Sequence, residues 1–393
     1  MSATRGWSTE LEGLRGIASL WVLVGHISLL VHCHITLISS PGIGVDLFIL
    51  LSGYLMAKNY VERQQKEPWQ STETIKKFWI RRFFRIAPLY YLLLIIALIY
   101  GPWFGEMRDT IAHFYSGTAT ESSRYNDQSL ANILTHFSFL FGLLPEYGFN
   151  TVLPDWSIGL EMQFYLLFPF IMLVTLRFGY AASLIGIMAL CCAGRYVLAD
   201  YYEAFEMPSM ILIKLNMFLS GMLLAEAIRR KSLLYVAFAL LGPVASVAMG
   251  LGAIKLQVIM EALMIVGMTA ILWQYPQGSL MATLIALPRK LLNNRLSTWL
   301  GDVSFSVYLL HLLIVIPLIA LLLNHTDIEF KSDMMRFLIV CVSAIPVTYA
   351  LASLLYKYVE KPGIQIGKRV LKPKLADQTC LVFNAAHPFP ISP

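Results

Sequence analysis

The 393-residue chain is 57% hydrophobic and only 14% charged, with 30 Lys and Arg against 24 Asp and Glu and a mean hydropathy of +0.65. So few charges cannot coat a water-exposed surface of this size, and a chain this apolar is not intrinsically disordered. The formal net charge of +6 does not point to nucleic acid, because the positive residues are scattered between apolar stretches instead of being massed on one soluble face.

A bilayer core of about 30 Å needs roughly 20 apolar residues per helix. Ten stretches approach that requirement: 14–32, 43–58, 86–104, 157–176, 181–198, 210–228, 233–252, 256–275, 303–323 and 336–356. The predicted fold class is all-α, a polytopic membrane helical bundle of about 10 transmembrane helices. An eleventh apolar piece, 133–145, ends in Gly142 and Pro145 and is too short to span, so it reads as a re-entrant or interfacial segment. Placing the N-terminus in the cytoplasm puts most of the 30 Lys and Arg on that side, the positive-inside pattern, and both termini are expected there. Two connections are long, a basic inner loop at 59–85 and an outer loop at 105–156. Residues 1–371 read as one integral membrane domain, and 372–393, with four prolines, as a flexible cytoplasmic tail.

The N-terminal segment carries Arg5, Glu10, Glu12 and Arg15, and no small-residue cleavage site follows the first apolar run, which is therefore expected to stay as a helix. That helix holds Arg15 and His26. Eleven residues at 100° each close almost three turns, so the two side chains share a face about 16 Å apart along the axis. An ionisable group inside a membrane helix is costly unless it is paired or lines a wet cavity. His26 is either a general base, its ordinary pKa lying near neutrality, or a structural hydrogen-bonding group. The connector His32-Cys33-His34 has no second ligand pair nearby, and the five cysteines contain no CxxC pair, so neither a metal site nor a disulfide framework is expected.

The second helix opens with Gly42-Ile43-Gly44-Val45-Asp46, and Asp46 could orient His26 or cap the helix start. The inner loop closes with Arg81-Arg82-Phe83-Phe84-Arg85. If that segment is helical, Arg82 and Arg85 share a face suited to gripping phosphate, although cytoplasmic basic residues also meet lipid headgroups, the preferred reading for Lys76 and Lys77. In the fourth helix Trp156 fits an interfacial aromatic belt, while Glu161, one turn inside, needs a cavity or a partner. In the ninth, His311 is a second buried histidine, read as structural. The tyrosines of the outer loop, Tyr115, Tyr125 and Tyr147, read as packed on the bundle in preference to stacking on sugars.

Taken in order, Glu12-Gly13-Leu14-Arg15-Gly16 with His26, Gly44-Val45-Asp46-Leu47-Phe48 through Ser52-Gly53-Tyr54, Arg82 to Tyr91, Trp156-Ser157 through Glu161 to Tyr165, Ser304 to His311 and Glu360-Lys361-Pro362 resemble the acyltransferase-3 family of integral membrane acyltransferases. Gly159 and Met162 depart from its pattern, leaving no second acid beside Glu161. The resemblance implies transfer of an acyl group, most often acetyl, from cytoplasmic acetyl-CoA or another acyl-CoA to a hydroxyl of a saccharide, polysaccharide or lipid-linked glycan, with membrane lipid as the surroundings and a bacterial inner membrane as the location. It implies that Arg15, Arg82 and Arg85 hold the CoA phosphates, that His26 deprotonates the acceptor or is itself acylated, and that Asp46 or Glu161 orients the imidazole or binds the sugar. The alternative from another class is a transporter or flippase of a lipid-linked glycan.

Overall fold

The computed structural model describes residues 9–250 and 255–371, and among them there are helices and turns but no strand. The first helix, α1 (Thr9–Leu30), has Glu10 and Glu12 in its first turn, where acidic groups meet the positive end of the helix dipole. Pro41, which lacks a donor to lose, opens α2 (Pro41–Arg63). Then come α3 (Thr72–Ile99), α4 (Gly101–Phe114), the short α5 (Ser123–Asn126) and α6 (Leu130–Phe137). The long α7 (Trp156–Phe178) turns at Gly179, whose φ of +87° suits glycine, into α8 (Tyr180–Val197). After the single turn α9 (Ala199–Glu203) follow α10 (Ile211–Arg230), α11 (Leu233–Ala239), α12 (Leu241–Ala248), α13 (Lys255–Leu272) and α14 (Leu280–Leu292). The chain closes with α15 (Arg295–His325), α16 (Asp333–Leu355), a π-turn (Tyr356–Glu360) and α17 (Lys361–Val370).

Among the described residues eight helices are long and apolar enough to cross a membrane: α1, α2, α3, α7, α8, α10, α15 and the run from α16 through α17. The stretches 233–252 and 256–275 hold shorter apolar helices, Leu233–Ala248 and Leu256–Leu272, the first of them broken at Leu240 into α11 and α12. The protein is an integral membrane helical bundle. Its side chains are distributed accordingly, with Leu190, Val197, Val342 and Phe330 facing outward while Asp46, Lys214, Glu261 and His311 are buried.

Two expectations need correction. The basic stretch before residue 86 is not loop: α3 starts at Thr72 and carries Arg81, Arg82 and Arg85 on continuous helix. Charge ended the apolar signal there, but Lys, Arg and Glu are good helix formers. Likewise the outer connection is built from α4, α5, α6 and 3-10 turns. The piece at 133–145 is split between α6 and a turn at Leu140–Leu143; Leu130 and Leu134 point outward while Asn132 and His136 are buried, the inverse of a helix on a water-soluble protein. The segment 372–393 lies outside the described residues.

The bundle's central contact joins α1 to α15. It is close because of glycine: a Cβ on Gly301 would lie 2.2 Å from the Glu12 carbonyl oxygen, and one on Gly16 would lie 2.6 Å from Leu300 Cβ. Small residues at a crossing let membrane helices approach backbone to backbone. This crossing sets the distance between the histidines that α1 and α15 carry.

Candidate active site

A cavity of about 420 Å³ opens between α1, α2, α3, α7, α10, α15 and α17. Its wall along α7 runs from Phe168 through Tyr165 and Glu161 to Ser157, about 16 Å of helix. One end is basic. Arg15, Arg63, Arg81, Arg82, Arg85 and Lys368 all line it.

These cations are not equivalent. Arg81 forks onto Glu67 through two 2.8 Å hydrogen bonds. Burial alone would raise the Glu67 carboxyl, but the hydrogen bonds and charge of Arg81 outweigh it and hold that carboxyl below the usual value. Arg15 lies 3.1 Å from Glu12, and Arg85 lies 2.8 Å from the buried Glu360, which also accepts from Ser306. Arg82 has no carboxylate within ion-pair distance among the described residues. Its guanidinium sits 5.6 Å from the centre of Phe78 and 5.5 Å from that of Tyr165, and its Nε is buried without a hydrogen-bond partner. A cation held by aromatic faces and left with a free donor is ready for an anionic ligand.

Deeper in the cavity stands Glu161, whose Oε1 accepts from Ser52 at 3.0 Å and from the Tyr165 hydroxyl. At the far end the Tyr308 hydroxyl lies 2.7 Å from both Ser157 Oγ and the Pro154 carbonyl. The ring of Phe48 meets Tyr308 edge to face.

Beyond Tyr308 are the two histidines. His311 is fully buried, and its Nδ1 stands 2.6 Å from the Tyr308 carbonyl, which can only accept. In the neutral ring that nitrogen therefore carries the proton and Nε2 keeps its lone pair. His26 Nδ1 lies 3.1 Å from that Nε2 and 2.9 Å from the Val22 carbonyl. Facing two acceptors, it is the donor, which leaves the lone pair of His26 on Nε2. A lone pair on a ring whose other nitrogen is fixed is the form a general base requires. His26 is half-buried and does not line the 420 Å³ cavity.

The structure thus brings Arg15, Arg82, Arg85 and Glu161 to one cavity and pairs His26 with His311 outside its lining. Asp46 stands elsewhere. It neither caps α2, where Ser40 holds that position, nor touches His26; it accepts from Lys214 at 2.7 Å and from Gln257 at 2.6 Å. The group that meets His26 is His311, read from sequence as structural. Lys214 also lies 3.8 Å from Glu261, which accepts from Ser246. Lys214 and Glu261 interrupt apolar stretches, so the rule that flagged Asp46 and Glu161 could have found them too. Of the outer tyrosines, Tyr125 is buried, while Tyr115 is stacked on His32. Among the described residues no group of His, Cys, Asp and Glu could hold a metal ion.

Residues 8–353 match the sequence profile of a family described as an acyltransferase domain. The peptidoglycan O-acetyltransferase OatA of Listeria monocytogenes is 30% identical over 44% of this chain and 25% of its own length. YrhL of Bacillus subtilis, provisionally named a peptidoglycan O-acetyltransferase, is 26% identical over 51% of this chain and 30% of its own length. BcsY of Komagataeibacter xylinus, provisionally named a membrane-bound transacylase, is 31% identical over 40% of this chain and 35% of its own length. The matches span only about a quarter to a third of these curated relatives. No solved structure matches the chain.

Proposed function

Because the chain belongs to the acyltransferase-3 family, we propose that it is a membrane-bound O-acyltransferase that moves an acetyl group from cytoplasmic acetyl-CoA to a saccharide hydroxyl, with His26 as the base. The single observation that carries this reading is the His26–His311 hydrogen bond of 3.1 Å, one helical turn from Tyr308, which lines the cation-lined cavity. The names of the relatives support acetyl as the group and a cell-wall or surface glycan as the acceptor. In this reading the basic end of the bundle and both termini face the cytoplasm of a bacterial cell, and the bilayer is its inner membrane.

Arg82 is the first contact for the CoA phosphates, with Arg15 and Arg85 behind it. The thioester extends along α7 toward Ser157 and Tyr308. His26 Nε2 takes the proton of the acceptor hydroxyl, and the oxygen attacks the thioester carbonyl. The C–S bond then breaks, and the departing thiolate takes the proton from the imidazolium, so that ester and thiol are the products. His311 holds the His26 ring in the tautomer that presents Nε2. Glu161, fixed by Ser52 and Tyr165, braces the path of the thioester, and Asp46 fastens α2 to α10 and α13 through Lys214 and Gln257.

His26→Ala is expected to abolish transfer from labelled acetyl-CoA in nanodiscs while the protein remains folded in the membrane. Transfer at the wild-type rate by His26→Ala would overturn the assignment. Nanodiscs have no gradient and no second compartment, so turnover there also separates an acyltransferase from a transporter.

A further inference from the structure

Two arginines remain that the proposed chemistry does not use. Arg108 lies on the face of α4 formed by Phe104, Gly105, Arg108 and Ile111, the face that is buried, and α4 packs against α15 and α5. It is 9% exposed, and its Nη1 is buried with no hydrogen-bond partner. Arg124, in α5, is 8% exposed; its Nε donates to the Thr151 carbonyl at 3.1 Å, and its guanidinium lies 3.6 Å above the Phe149 ring. The α15 helix that α4 packs against carries His311, the partner of His26, and the Thr151 carbonyl held by Arg124 stands three residues from Pro154, whose carbonyl accepts from Tyr308 of the same helix; both charges are felt at His26, and Arg108 feels that of Arg124.

Neither guanidinium has a carboxylate within 4.0 Å among the described residues. The Tyr125 side chain faces both, its ring 5.5 Å from the Arg124 guanidinium and its neutral hydroxyl toward Arg108, and the acids farther out are Asp109 for Arg108, and Asp155 and Glu206 for Arg124. Asp155 is already engaged, accepting from Thr151 and Tyr90 with His136 3.6 Å away. A buried cation without a counter-ion is costly, and two side by side are more so. Burial pushes both guanidinium groups below their ordinary value. Such an arrangement is stable in function when an anion completes it.

We propose that Arg108 and Arg124 form an anion-binding subsite beside His26 that takes the carboxylate or phosphodiester of an acidic saccharide acceptor. The proposal rests on the reading of His26 as the base that meets the acceptor. Neither arginine lines the cavity assigned to the thioester, so the donor's phosphates are not their ligand. A transient oxyanion carries one charge for the lifetime of an intermediate, whereas two fixed cations match a permanent anion. The fork of a guanidinium suits both carboxylate and phosphate.

The test uses the protein in phosphatidylcholine nanodiscs, without acetyl-CoA. An oligoglucuronide and the neutral oligoglucoside made by reducing its carboxyls are titrated by calorimetry. The acidic oligosaccharide is expected to bind at least about tenfold more tightly, the scale of one charge-assisted contact. Arg108→Gln and Arg124→Gln each remove that preference and leave the neutral affinity unchanged, while Arg124→Lys keeps part of it. Arg108→Met raises the thermal midpoint of the unliganded protein, because it removes an uncompensated charge; a merely structural arginine would give a fall. Equal binding of the two oligosaccharides overturns the subsite, as does displacement of the oligoglucuronide by phosphatidylglycerol added to the nanodisc, which would make the anion a lipid headgroup. A loss of kcat toward neutral acceptors in Arg108→Gln would assign the pair to the oxyanion instead. Binding needs no turnover, so it stays measurable if His26 is not the base.

Discussion

Arg82 and Arg85, two of the arginines at the basic end of the cavity, look alike in sequence and differ in what their loss should do. Removing Arg82 strands no partner, because its guanidinium rests on Phe78 and Tyr165. Arg82→Ala is expected to raise the KM for acetyl-CoA about ten- to a hundredfold, the equivalent of one hydrogen-bonded ionic contact of roughly 1.5–3 kcal/mol, with the thermal midpoint nearly unchanged. Arg85→Ala leaves Glu360 buried and unpaired, which costs about 3 kcal/mol or more. It should lower the thermal midpoint, and adding Glu360→Gln should restore most of the loss. Equal effects of the two substitutions on KM, with no difference in stability, would remove the distinction. The spacing of Arg82 and Arg85 was legible in the sequence because a helix fixes which residues share a face. That Glu360 would stand opposite one of them was not, since local periodicity says nothing about what packs against a face from 275 residues away. The same limit hid the pairing of His26 with His311 and the capture of Asp46 by Lys214.

At the scale of elements, the crossing of α1 and α15 is the part that assembles chemistry. Gly301→Val puts a side chain where the Glu12 backbone stands 2.2 Å from a Cβ, so the helices must part. The expected result is a stability loss of about 1–3 kcal/mol from overpacking and a larger fractional loss of transfer, since a hydrogen bond of 3.1 Å between the histidines does not survive a shift of an ångström. Gly186 in α8 has open space around it, and Gly186→Ala should leave activity unchanged and stability equal or slightly higher. Thermal midpoints and transfer rates of the two variants decide the matter; indifference of both measurements to Gly301→Val would show that the crossing has slack. The long apolar elements were readable from hydropathy, while the start of α3 at Thr72 was not. Hydropathy reports the solvent a segment prefers, and Arg81, Arg82 and Arg85 belong to a helix that leaves lipid without unwinding.

For the whole molecule, the proposed orientation predicts which side reagents reach. With the native cysteines replaced by alanine, a single cysteine at Ser122 should react with an impermeant maleimide added to spheroplasts, and one at Gln65 only after the membrane is broken. The reverse pattern would turn the bundle over and place the cation-lined cavity outside. The expected orientation comes from the distribution of positive charge alone; the cavity was not legible, because it depends on how seven helices lean on one another. Ser157 and Tyr308, joined at 2.7 Å, line that cavity at the end of the α7 wall away from Phe168. In the proposed reaction the nucleotide enters and leaves by the same door, and the only matter that changes sides is a two-carbon fragment. Such a machine needs no alternation between inward-open and outward-open states, and neither membrane voltage nor an ion gradient enters its driving force. Its turnover should therefore follow the ratio of acetyl-CoA to free CoA and continue when the membrane is de-energised.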